Sequence, residues 1–185
     1  MVIKIAWGIT GAGDYMAESL SVMKDLLKTG NYKITTLISS AGVTVVKMYA
    51  LWRELQTVSS KIFIDHGPYA PVVGALQTGK FKVFIISPAT ANTVAKIVVG
   101  IADTLICNAV SQAQKGSIPI YIYPVDQKPG TITTVLPTGQ KINITMRDID
   151  IENARKLGMM KGITVLKHPR EIVDILKKYE AVKSS

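Results

Sequence analysis

Cysteine is nearly absent from this chain: Cys107 is the only one in 185 residues. That excludes a disulfide framework, a thiolate-bound zinc and an iron–sulfur cluster held by the chain itself. Histidine is almost as scarce, with only His66 and His168, so no metal site is expected. No apolar run approaches the roughly 20 residues that cross a bilayer. Gly8, Gly11 and Gly13 also break up the N-terminus before a secretory signal core could form, which predicts a cytoplasmic protein. Acidic residues are in the minority, 13 against 22 lysines and arginines, for a net charge of +9. The basic residues are scattered singly, with no tract interleaved with aromatics. A solvated basic surface is therefore the first reading, an acidic redox partner or anionic substrate the second, and nucleic acid the last.

What is present is a single core's worth of apolar residues, 48% of the chain, with no linker or repeat, which predicts one domain over residues 1–185. Strand and helix patterns alternate. Val2 to Trp7 reads as a strand, Gly8 to Asp14 as a flexible turn, and Met16, Leu20, Met23, Leu26 and Leu27 recur at helical spacing. Lys33 to Ile38 is a second strand, followed by a loop at Ser39 to Gly42 and a helical pattern through Leu55. Strands at Ile62 to Ile64, Phe81 to Ile86, Ile118 to Tyr123 and Ile163 to Leu166 alternate with helices near Val72 to Leu76, after Thr93, at Thr104 to Gln114, Asp150 to Leu157 and Pro169 to Tyr179. This order predicts a three-layer α/β fold of the Rossmann/flavodoxin-like kind, a parallel sheet with helices on both faces. Thr131 to Leu136 and Lys141 to Met146, around the turn Pro137-Thr138-Gly139-Gln140, break the rhythm and predict a β-hairpin arm.

Two loops suggest a ligand. Ser87-Pro88-Ala89-Thr90-Ala91-Asn92-Thr93 follows a buried strand, where open α/β sheets place their ligands. Its hydroxyls and amide donate and accept, its alanines let a flat ring lie close, and it carries no charge, so it suits holding a molecule rather than cleaving one. Thr93 alone could be an ordinary helix cap. The glycine turn after the first strand suits an anion at a helix N-terminus. It is neither a P-loop nor a Gly-x-Gly-x-x-Gly fingerprint, and the second strand ends in Ser39-Ser40 where a nicotinamide enzyme usually carries an acid. Thr10-Gly11, Ser39 and the central loop together describe a pocket for a flat molecule with one phosphate.

Pro88-Ala89-Thr90-Ala91-Asn92-Thr93, followed by Ala95-Lys96 and Gly100-Ile101-Ala102-Asp103-Thr104-Leu105, resembles the signature of the homo-oligomeric flavin-containing cysteine decarboxylase superfamily. The resemblance implies FMN as cofactor, with Thr10, Gly11, Gly13, Ser39 and Ser40 near its phosphate. Ser87, Pro88, Ala89, Thr90, Asn92 and Thr93 would lie along the ribityl chain and ring, with Asp103 in the second part of the motif. It also implies trimer-based assembly with the flavin at subunit contacts.

The catalytic His of the decarboxylases is missing: its position falls on or near Gly74, and His66 lies too far upstream to replace it. Gly67-Pro68-Tyr69-Ala70-Pro71, Gly74 to Lys80, Tyr123-Pro124-Val125-Asp126, Arg147 to Asn153 and Met160 to Val165 instead look like the archaeoflavoprotein and acceptor-dependent dihydromethanopterin reductase branch. That resemblance implies a redox protein taking electrons from a low-potential donor such as ferredoxin and passing them to an acceptor such as a dihydropterin. A carrier without a dedicated substrate is the alternative, with a decarboxylase or a flavin prenyltransferase below both. Asp126, Asp148 and Asp150 are candidate proton or pterin contacts, against the ordinary reading as caps. Tyr15 and Tyr69 are candidates for lining the flavin, whereas Trp7, Trp52 and the Met159-Met160 pair read first as core.

Overall fold

The computed structural model describes residues 2–181. Its strands in chain order are β1 (Ile3–Ile9), β2 (Tyr32–Ile38), β3 (Lys61–Ile64), β4 (Val83–Ala89), β5 (Ile120–Pro124), β6 (Thr131–Val135), β7 (Lys141–Thr145) and β8 (Ile163–Val165). The helices are α1 (Met16–Lys28), α2 (Ser40–Met48), α3 (Trp52–Val58), α4 (Pro71–Gln77), α5 (Ala91–Val98), α6 (Leu105–Lys115), α7 (Asp148–Leu157) and α8 (Glu171–Ala181). Six strands form one parallel sheet in the order β3-β2-β1-β4-β5-β8. This is the doubly wound order, which reverses direction between β1 and β4 and opens a crevice at their carboxyl ends.

Two apolar layers hold the sheet. Side chains alternate along a strand, so Ile3, Ile5, Trp7 and Ile9 of β1 pack with Met16, Leu20 and Met23 of α1 and with Ile172 and Leu176 of α8. Ala6 instead joins Phe84 and Ile86 of β4, Val94 and Ile97 of α5 and Ala109 and Val110 of α6 on the other face. Both layers are predominantly apolar on the central strands, as a sheet covered on both faces requires, and the buried Ser87 and Thr36 hydroxyls are each hydrogen-bonded. Trp7 is core, and its indole N–H donates to the Ser87 carbonyl at 2.9 Å.

The boundaries differ from the sequence reading in ways that matter at the crevice. β1 runs on through Gly8 and Ile9, because Gly8 lets β4 approach: a Cβ there would stand 3.2 Å from Ile86. β4 starts at Val83 and continues through Ser87, Pro88 and Ala89, three residues expected in the loop. Residues 40–42 are the first turn of α2, not a loop, since Ser39 caps that helix through its side chain. The long helical pattern breaks into α2 and α3 at Ala50, whose φ is 57°. The hairpin β6-β7 stands apart from the main sheet as expected. It folds back onto the carboxyl edge, where the Tyr49 hydroxyl donates to Val135 O at 2.9 Å and the Thr134 hydroxyl donates to Asp14 Oδ1.

Candidate functional site

The crevice between β1 and β4 is built in two tiers. The lower tier fastens the strands. Thr10 is 1% exposed, and its hydroxyl donates to Pro88 O at 2.9 Å while accepting the Thr90 N–H at 2.8 Å. Ser87 is fully buried, sharing a 2.8 Å hydrogen bond with Ser19 of α1, and Pro88 and Ala89 are buried with it. These four candidate residues make the floor; Ser87 turns its hydroxyl toward α1 and away from the crevice.

The upper tier faces solvent. Ser39 caps α2, accepting from Gly42 N at 2.9 Å, and the exposed Ser40 hydroxyl donates to Asp65 O at 3.0 Å. The N–H groups of Ser40 and Ala41 have no intrahelical acceptor, as in the first turn of any helix. Gly11 lies so close to this turn that a Cβ would stand 2.7 Å from Ala41 Cβ, and one on Gly13 would meet the Tyr49 hydroxyl at 2.6 Å. Across the crevice Thr90 caps α5, with Thr93 N 3.4 Å from its hydroxyl and Thr93 Oγ1 at 3.2 Å, while Asn92 is exposed. Asp103 is outside this group: it is exposed and paired with Lys96 at 2.7 Å.

The electrostatics of the two helix ends differ. No acidic residue occurs between Leu26 and Arg53, the span that contains α2, so that N-terminus carries no acidic residue of its own and presents its positive end to the crevice. The start of α5 instead faces Asp126, which follows β5 and is held near it by the Val125 N–H to Ala89 O bond of 3.0 Å. Burial pushes the Asp126 carboxyl above its usual range, the charges of Asp150 and Asp14 push it further, and the Ala91 N–H and Arg147 pull it back. An anion is thus favoured beside Gly11, Ser39 and Ser40 and disfavoured beside Asp126.

Several residues that shape this edge carried little or no signal in the sequence. Tyr49 sits at the end of α2 and reaches the hairpin 86 positions later, which no local pattern reveals. Asp14 was legible only as part of a glycine turn. Tyr15 adopts φ 60° and packs edge-on against buried Tyr123 at 5.1 Å and His168 at 5.8 Å between centroids. His66 is exposed, and Gly74 faces open space on α4. Among the described residues no group of three or more His, Cys, Asp or Glu side chains could hold a metal.

The fold and crevice define an α/β protein of the doubly wound type, with an anion-favouring helix end at its switch point. The chain belongs to the Flavoprotein family, whose model matches residues 2–183. It is 45% identical to an uncharacterized protein of Methanocaldococcus jannaschii, MJ0730, over 98% of both chains. It is 37% identical to the dihydromethanopterin reductase (acceptor) of the same organism, covering 93% of this chain and 95% of the reductase. That alignment runs to 233 positions against 185 residues here, so the reductase carries internal sequence that this chain lacks. Among solved structures, Burkholderia xenovorans DmrB in complex with FMN, described as a cubic protein cage for redox transfer, superposes with a TM-score of 0.83. It is 27% identical, covering 99% of this chain and 98% of that one.

Proposed function

We propose that this protein is an FMN-dependent oxidoreductase that takes electrons from a separate low-potential donor, such as a ferredoxin, and passes them to a dihydropterin-like acceptor. The observation that carries the reading is the α2 N-terminus, capped by Ser39, closed against Gly11 and free of acidic neighbours in sequence from Leu26 to Arg53. It suits the phosphate of FMN. Thr90, Asn92 and Thr93 across the crevice suit the polar ribityl chain and ring edge, over the floor of Thr10, Ser87, Pro88 and Ala89. FMN, when bound, supplies the electron-transfer chemistry; the chain's own residues bind it, fix its orientation and limit water.

With one cysteine and no internal cluster, the chain needs a donor from outside, and its net charge of +9 favours encounter with an acidic one. Assembly as a homo-oligomer agrees with the cage described for DmrB and with exposed apolar side chains such as Val99, Ile101 and Met159. A prenyl phosphate substrate is disfavoured by the carboxylates Asp14, Asp126 and Asp150 along the same edge.

The test is retention of flavin. Purified protein is expected to show a flavin absorbance band that bleaches with reduced ferredoxin, with FMN released on denaturation. Ser39→Asp keeps a good helix cap but sets a carboxylate where the phosphate would lie. It should fold normally and hold FMN at least about tenfold more weakly. A colourless wild type that cannot be reconstituted with FMN, or a Ser39→Asp variant with unchanged affinity, overturns the proposed site.

A further inference from the structure

A cavity of about 440 Å³ opens beside the crevice, between the glycine turn, the first turn of α1, Tyr49 and strand β6. Of the residues linked above to FMN it shares Gly13 and Tyr15; the serines, threonines and asparagine of the crevice lie outside it. Its lining is unlike the phosphate side. Tyr15, Tyr49 and Ile132 supply flat and apolar surface, and Asp14 and Glu18 supply acceptors, with no lysine or arginine among the lining residues. Carboxylates are rare in this basic chain, so two of them facing one cavity select against anions and for a ligand that offers N–H donors.

Asp14 has capacity to spare. It is half-buried, it accepts from the Thr134 hydroxyl through Oδ1, and no cation pairs with it among the described residues. Glu18 is already engaged, 3.3 Å from Arg170 Nε and 3.5 Å from His168 Nε2, and that fixes the outer wall. The roof is the hairpin, tied to Asp14 and Tyr49 by the two bonds described above. Tyr15 is held in a left-handed conformation that a bulky residue rarely adopts, with its ring wedged between Tyr123 and His168. Such strain persists only where the surroundings enforce it. The larger cavity of about 590 Å³ lies at the far end of the sheet, by Pro119 and Gly162, away from the switch point where ligands of this fold bind.

We infer that this second cavity takes the electron acceptor, a flat nitrogen heterocycle whose edge presents adjacent N–H donors, as an aminopyrimidinone does, and that Asp14 receives that edge. The assignment rests on the oxidoreductase reading. Tyr15 and Tyr49 bracket the ring, and Ile132 covers it from the hairpin. A paired carboxylate makes the strong, charge-assisted form of such contacts.

The experiment titrates 6-methylpterin into the purified holoprotein and follows quenching of pterin fluorescence, with bound FMN measured separately by absorbance. Asp14→Asn keeps the acceptor for Thr134 but replaces one carboxylate oxygen with a donor. It is expected to weaken 6-methylpterin at least about tenfold with FMN content unchanged. Ile132→Trp, which fills the cavity from the hairpin side, should weaken it likewise. Unchanged pterin affinity in both variants overturns the assignment, as does wild-type holoprotein that holds FMN but does not bind 6-methylpterin. Loss of FMN from Asp14→Asn would give the cavity to the cofactor instead. A wild type without flavin that still binds 6-methylpterin through Asp14 would overturn the oxidoreductase reading and the acceptor role with it, leaving Asp14 as a heterocycle contact only.

Discussion

Asp126 is held at a corner pinned on both sides. The Val125 N–H is bound to Ala89 O, and the Gln127 side chain donates to Pro124 O at 2.8 Å and to Leu166 O at 2.9 Å. The side chain is half-buried, and burial followed by repulsion from Asp150 and Asp14 raises its pKa in the folded protein. A raised pKa means that folding favours the protonated form. The group's contribution to stability is therefore fully present below the unfolded carboxyl range and is lost as pH rises through the folded value. Asp126→Asn, which keeps an acceptor for the Ala91 N–H, is expected to leave the urea midpoint unchanged near about pH 3.5 and to raise it at about pH 7. A variant less stable than wild type at neutral pH would show that the ionised carboxylate is a net stabiliser. The sequence made Asp126 a candidate but not a perturbed one, because Asp14 and Asp150 lie far from it along the chain and meet it only through the fold. Thr10 shows the same limit: its type and position mark the crevice, yet only the β1–β4 register reveals that its hydroxyl is consumed by Pro88 and Thr90.

Between elements, the glycine turn approaches α2 closely at the crevice. A Cβ on Gly11 would stand 2.7 Å from Ala41 Cβ and 3.2 Å from the Ala41 carbonyl carbon, so the turn and the helix end are packed backbone to backbone. Gly11 is thus required by packing alone, whatever the proposed phosphate site asks of it. Gly11→Ala should push α2 away and cost about 1–3 kcal/mol, the usual range for overpacking. Ala41→Gly removes the nearest obstacle, and the double variant should recover part of that loss in urea titrations, a coupling expected only of touching residues. Additive effects would mean that the two elements are not in contact as described. The alternation of strands and helices was legible because both sheet faces are covered and the central strands read as unbroken apolar runs. The break at Ala50 and the start of α2 at Ser40 were not, because periodicity carries across both. A helical pattern does not record the left-handed residue that ends one helix and starts the next, and a serine before a helix reads as well in a loop as in a cap.

At the scale of the molecule, the question is what covers the apolar surface left outside the two cores. Val99 is 67% exposed, Ile101 47% and Met159 65%. Val99 and Ile101 flank the glycine that ends α5, and Gly100 and Ile101 line a small cavity with Met160 from beyond α7 and with Cys107 and Val110 of α6. Clustered exposed apolar side chains mark a contact, and in the proposed assembly the contact is a second copy of this chain. Val99 and Ile101 belong to neither core cluster, so Val99→Lys with Ile101→Lys should leave the monomer's thermal transition nearly unchanged while placing two charges that would lose their water in the interface. The expected result by light scattering is a fall from an oligomer to a mass near the 20.1 kDa of one chain. If the flavin lies at subunit contacts, as the superfamily resemblance implies, FMN should be lost at the same protein concentrations at which the oligomer dissociates. An unchanged mass would remove this face from the assembly. A monomer that keeps its FMN would separate the two, leaving the crevice sufficient to hold the cofactor within one chain.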